Sequence, residues 1–167
     1  RISTFEQKIV GSTAQFSSVL LTPNTSHTLT YGLDYYETSS ESVRDGGTKD
    51  ALGNPVFEFS PLPTRDFPNT DVENIAVFIQ DEIELFDGKL LLSPGARYDR
   101  NKATTAPDSL YLEGNPGVAM PIDFDESEVS LKFGALFQIS DSWSAFGRYS
   151  EGFRAPPFDD VNLGFTN

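Results

Sequence analysis

The sequence predicts an all-β protein: about six antiparallel strands in three hairpins, forming part of a transmembrane β-barrel. Three observations predict it. Apolar and polar residues alternate along segments of about ten residues, the length a tilted strand needs to cross a bilayer. Short turns alternate with long polar connections. Tyr35, Tyr98, Trp143 and Tyr149 stand near strand ends on the apolar faces, where rings with one polar side suit a membrane interface.

The first hairpin spans Gly11 to Glu37. Leu29, Tyr31, Leu33 and Tyr35 share one face of its second strand. The facing of the first strand is open, because Ala14, Phe16, Ser18 and Leu20 compete with Val19 and Leu21. Thr22-Pro23-Asn24 supplies turn chemistry, and the turn is expected over 22–27.

The second hairpin is the clearest. Val77, Ile79, Ile83 and Leu85 alternate with Phe78, Gln80, Glu82 and Glu84. Asp87-Gly88 is a strong hairpin turn, and Leu90 to Asp99 returns. Centring the turn there pairs Leu85 with Leu90, Ile83 with Leu92, Ile79 with Ala96 and Val77 with Tyr98. Glu84 then faces Leu91, Gln80 faces Gly95 and Phe78 faces Arg97. A slip of one residue would mix the two faces, so the pattern fixes the register. Asp81 is the exception: it falls on the apolar face opposite Pro94, where a carboxylate facing lipid is costly.

The third hairpin runs from Val129 to Ile139, turns at Ser140-Asp141-Ser142, and returns from Trp143 to Ser150. It pairs Ile139 with Trp143, Phe137 with Ala145, Ala135 with Gly147 and Phe133 with Tyr149. Leu136 and Phe146 fall opposite each other on the otherwise polar face. The stretches 38–72 and 102–127 are expected to be long polar loops, rich in Pro, Gly, Asp and Ser.

A soluble β-sandwich shows the same alternation and is the competing architecture. Strand length, ring placement and loop rhythm favour the membrane. There is no apolar run long enough for a membrane helix, and a barrel needs none. The net charge of -13 argues against a nucleic-acid partner. With no cysteine, there is no disulfide, thiolate metal site or cysteine nucleophile. The chain begins at Arg1 and ends in a polar stretch at Asn167, and reads as an excerpt of a longer protein.

The segment Tyr149-Ser150-Glu151-Gly152-Phe153-Arg154-Ala155-Pro156-Pro157-Phe158 resembles the strand-to-loop segment of TonB-dependent outer-membrane receptors. More narrowly, Phe153, Arg154, Ala155 and Pro156 resemble the Phe-Arg-Ala-Pro box of the haem and haemoglobin receptors. Gln80-Asp81-Glu82, Pro94 to Asp99 and Tyr31-Gly32-Leu33-Asp34 are also similar to that superfamily.

The resemblance implies a bacterial outer-membrane barrel of about 22 strands. It also implies a plug outside this chain, with residues 1–167 forming part of the barrel domain. Further implications are uptake driven through the TonB complex and an iron-bearing ligand, haem or a haem protein, with a ferric siderophore as the alternative. Haem would be cargo, and no resident cofactor is expected. Haem receptors carry a histidine and an Asn-Pro-Asn-Leu motif after the box; Asp159 to Asn167 contains neither.

Among candidate sites, Phe153, Arg154, Ala155 and Pro156 form the ligand-loop motif, although two prolines also explain it as a conformational stop. His27, the only histidine, reads as a solvated turn residue on the inner side. The acids Glu41, Asp45, Asp50 and Asp108, and the cluster Asp123, Asp125, Glu126 and Glu128, read as solvated loop charge rather than a cation site. Glu82, Glu84, Arg97 and Asp99 read as a lumen wall. There is no phosphate loop, metal triad or nucleophile with a base, so neither enzyme activity nor a metal is expected.

Overall fold

The computed structural model describes residues 2–56, 62–154 and 162. Its strands are β1 (Ile2–Leu21), β2 (Thr25–Asp45), β3 (Asn69–Leu85), β4 (Leu90–Ala106), β5 (Phe124–Ser140) and β6 (Trp143–Ser150). They form one six-stranded antiparallel sheet in the order β1-β2-β3-β4-β5-β6, each strand beside its neighbour in sequence. A short helix, α1 (Ser109–Gly114), lies between β4 and β5. No second sheet packs on the first among the described residues, so the β-sandwich alternative is not met.

Leu85 pairs with Leu90, Ile83 with Leu92, Ile79 with Ala96 and Val77 with Tyr98, the register the alternation dictates. At the turn, Asp87 (φ 56°) and Gly88 (φ 81°) both sit in the left-handed region, and the Lys89 N–H donates to the Phe86 carbonyl. Positive φ at both central residues matches the turn twist to the strand twist, which is why Asp-Gly works here.

The first hairpin resolves the open facing. Phe16 pairs with Tyr31 and Ala14 with Leu33, so Ala14, Phe16 and Ser18 share the face of Leu29, Tyr31 and Leu33. The rings of Phe16 and Tyr31 stack with centroids 5.7 Å apart. Across the sheet, Leu33, Val77, Tyr98 and Val129 form one apolar row, and Tyr31, Ile79, Ala96 and Leu131 form the next.

This face is exposed. Ile79 is 48% and Leu131 50% accessible, whereas Ala76 on the opposite face is only 4% accessible. Among the described residues, the buried apolar side chains are Ala76, Ala103 and Tyr111, with Pro68 in an outer connection. A water-soluble sheet of this size would hide such rows in a core; here they face outward, as lipid contact requires. The polar face is concave. Thr13 and Gln15 of β1 and Ser150 of β6 border one cavity of about 500 Å³, so the sheet curls toward its polar side.

Four expectations need correction. Trp143 pairs with Ser140 rather than Ile139, because the register shifts between Gln138 and Ser140. A bulge there absorbs one residue and shortens the turn. His27 lies within β2, not in the turn, because β2 starts at Thr25.

The long loops are also shorter than 38–72 and 102–127. β2 runs on to Asp45, β3 starts at Asn69, β4 runs to Ala106 and β5 starts at Phe124. Many of the added pairs, such as Glu37 with Glu73 and Lys102 with Asp125, are polar, although Val72, Ala103 and Phe124 pair in an apolar row. Seventeen-residue strands such as β3 reach about 56 Å, or about 40 Å tall when tilted, and so pass well beyond an apolar band of about 25 Å. Finally, α1 interrupts a connection expected to lack structure. Asp108 caps it, its carboxylate accepting from the Tyr111 N–H at 3.1 Å.

Candidate functional site

The concave face is organised around Arg97. Its guanidinium reaches from β4 across β3 to Asp34 of β2, donating at 2.7 Å, and also donates through Nε to both oxygens of Asp99 at 2.9 and 3.0 Å. It stands 5.7 Å from the centre of the Phe78 ring. The ring needs Gly32 beneath it: a Cβ at Gly32 would lie 2.6 Å from the Phe78 Cζ. A small residue at Ala76 lets Arg97 pass over β3 to Asp34, which leaves Ala76 buried. The result is a cation held between two carboxylates and an aromatic face.

Phe153 lies on the same cavity as Arg97, Asp34, Asp99, Phe78 and Lys132. Glu151 follows β6 and accepts at its carboxylate from the Leu131 N–H at 2.9 Å and the Tyr149 hydroxyl at 2.7 Å. That anchor fixes where the chain leaves the sheet. Arg154 is exposed. Ala155 and Pro156 lie outside the described residues. The structure therefore brings Phe153, the first of the four motif residues, to this concave face. Closer to the short turns, Leu91, Leu136 and Phe146 pair side by side as an apolar strip on this face.

The outer connections are tied together. Arg65, with a side chain 9% exposed, donates to Asp108 at 2.9 Å and to the Ser42 carbonyl at 2.9 Å. The Asn115 amide donates to the Arg65 carbonyl at 2.9 Å, and Arg44 pairs with Asp66 at 2.9 Å. Asn162 donates to the Ile122 carbonyl at 3.1 Å and accepts from the Ile122 N–H at 2.9 Å.

Several acids of this region are spent in such contacts. Asp123 accepts from the Thr105 N–H at 2.7 Å and hydroxyl at 3.0 Å, which holds its carboxyl below the ordinary value of 3.8. Asp125 pairs with Arg100. Among the described residues there is no group of three or more acids or histidines able to hold a metal.

Sequence reasoning also missed a pair on the opposite face. His27 Nδ1 lies 2.7 Å from the Asp81 carboxylate, on the outward apolar face. Asp81, the carboxylate that argued against a lipid face, thus has a partner one strand away. The signal was present as two polar residues on one apolar face, but pairing them required the β2–β3 register.

Comparison with known proteins decides the family. The family described as TonB dependent receptor-like, beta-barrel, matches residues 3–167. The chain belongs to this family. TonB-dependent receptors are transport proteins of the bacterial outer membrane, not enzymes. The apolar outward face of this TonB-dependent receptor barrel segment is its lipid face, and the Arg97 face is its lumen wall. A protein named "Hemin receptor" from Yersinia enterocolitica is 27% identical over 136 residues. The match covers 81% of this chain and 15% of that relative's length.

Proposed function

We propose that the chain forms part of the wall of a receptor that takes up an iron-bearing ligand, haem or a haem protein, through the outer membrane. The observation that carries the reading is Phe153, the start of the Phe-Arg-Ala-Pro motif, on the lumen cavity beside the Arg97 cluster. A motif that begins at the lumen wall suits contact with a ligand on its way through the barrel. The likeness to a relative named "Hemin receptor" supports haem as the cargo.

In this reading residues 1–167 belong to a larger barrel domain of about 22 strands. A plug from outside this chain occupies the lumen, and the TonB complex acts on that plug. The strip of Leu91, Leu136 and Phe146 offers the plug a dry contact. The sheet supplies the wall and positions the loops, and cargo binds transiently rather than as a resident cofactor.

The test is growth of an iron-starved strain that carries the intact gene and lacks its other iron receptors. Growth on haem, lost when the gene is deleted, supports the reading. Growth on a ferric siderophore but not on haem overturns the haem assignment and leaves the barrel reading standing.

A further inference from the structure

We infer that Lys132 and Arg148 form a carboxylate subsite on the lumen wall, for cargo that bears carboxylates at one edge of an apolar body. The inference rests on the uptake reading above and names the chemistry that the wall selects. Lys132, Gly134 and Leu136 share the concave face with Arg97, because Ser130, opposite Arg97, stands two residues before Lys132. Arg148 is opposite Gly134, and Phe146 is opposite Leu136. The face holds a recess of about 420 Å³ here, with Lys132 and Arg148 on one side and the strip of Leu91, Leu136 and Phe146 on the other.

The two cations are diagonal neighbours across β5 and β6, and both are uncommitted. Arg97 is engaged by Asp34 and Asp99, whereas Lys132 and Arg148 are exposed and have no hydrogen-bond or ion-pair partner among the described residues. Among the described residues, no carboxylate lines the recess. The nearby acids are engaged elsewhere: Glu82 accepts from the Gln80 amide at 3.3 Å, and Glu151 accepts from the Leu131 N–H and the Tyr149 hydroxyl. In a chain of net charge -13, a pair of free cations on an inner wall suits an anionic ligand, with charge-assisted hydrogen bonds to its oxygens.

Lys132 is also held in place. Its stem lies across β4 at Gly95, where a Cβ would come within 2.5 Å of the Lys132 Cε. Gly134 keeps the floor open between Ser93 and Arg148. Lys132 also borders the neighbouring cavity, on which Phe153 begins the ligand-loop motif. The recess therefore continues the surface that the cargo meets at Phe153, which favours cargo as the occupant. Haem has the required form, with two propionates at one edge of an apolar ring. The strip serves the plug at rest and the apolar body of the cargo in passage.

Uptake is measured in the iron-starved strain that carries the intact gene, supplied with iron-labelled haem or with haem dimethyl ester. The ester keeps the ring and the iron but has no carboxylate. The wild-type receptor should take up haem about fivefold faster than the ester, the effect expected of two exposed ion pairs. The double variant Lys132→Gln, Arg148→Gln should bring haem uptake down to the ester rate and leave the ester rate unchanged. Arg148→Lys, which keeps the charge, should retain the preference. Unchanged heat-modifiable migration on gels confirms that the variants fold. Equal uptake of haem and ester by the wild-type receptor overturns the inference even if the double variant fails to fold, and leaves the haem reading standing. A folded double variant that keeps the preference overturns it too, as does one that loses haem and ester uptake alike, the result a seat for the plug would give. Uptake of neither porphyrin overturns the haem reading and the inference together.

Discussion

Arg97 reaches over β3 to donate to Asp34 at 2.7 Å, so two strands that share no backbone ladder are joined by one side chain. The bridge depends on what lies beneath it. Ala76 is small enough to be covered, and Gly32 leaves room for the Phe78 ring beside which the guanidinium stands.

Replacing Gly32 with Val should therefore break the arrangement from below. The new side chain runs into the Ala14 carbonyl and the Phe78 ring, so the backbone or the ring must shift and Arg97 loses its aromatic face. Overpacking of this kind costs about 1–3 kcal/mol. The urea midpoint of the intact receptor in detergent should fall, while Gly47→Val, where a Cβ has open space, should leave it unchanged.

The outer connections should respond to loss of Asp108. Its carboxylate caps α1 and neutralises Arg65, whose side chain is nearly buried. Asp108→Ala removes both, at a local cost of about 1.5–3 kcal/mol for the charged hydrogen bond alone. Limited proteolysis should then cut within 46–68 and 107–123 several-fold faster, with the strands untouched.

Acid should loosen the contact between Asp123 and Thr105. Hydrogen bonds from the Thr105 N–H and hydroxyl, and more weakly the charge of Lys102, hold the Asp123 carboxyl below 3.8. A depressed carboxylate contributes its stability above the unfolded value and loses it as pH falls through the folded one. The contact is thus intact at neutral pH and opens only below the ordinary carboxylate range. The Thr105 amide resonance should titrate there, and Asp123→Asn should abolish the titration.

The sequence made the second hairpin legible because Ile83 and Leu92, or Ile79 and Ala96, agree only in one register. What escaped it has physical reasons. Beyond Tyr35 and Tyr98 the outward face becomes polar while Val72, Ala103 and Phe124 form an apolar row on the other, and the alternation that marks the lipid-facing part is lost. The bulge at Ile139 depends on how Trp143 settles at a turn, which periodicity does not encode. The partners Arg97–Asp34 and His27–Asp81 lie 63 and 54 residues apart, so they emerge only from strand order and register. Phe153 was singled out from its motif, but its place on the lumen cavity comes from the curl that brings β1 and β6 around one hollow.

The most direct test places spin labels one at a time at Ile79, Gln80, Phe137 and Gln138 of the intact receptor in bilayers. Collision with oxygen reports lipid, and collision with a water-soluble nickel chelate reports the aqueous lumen. The account predicts strong oxygen contact at Ile79 and Phe137, with oxygen contact clearly reduced at Gln80 and Gln138. Labels at Ile79 and Phe137 shielded from lipid, or no difference between neighbouring positions, would contradict it.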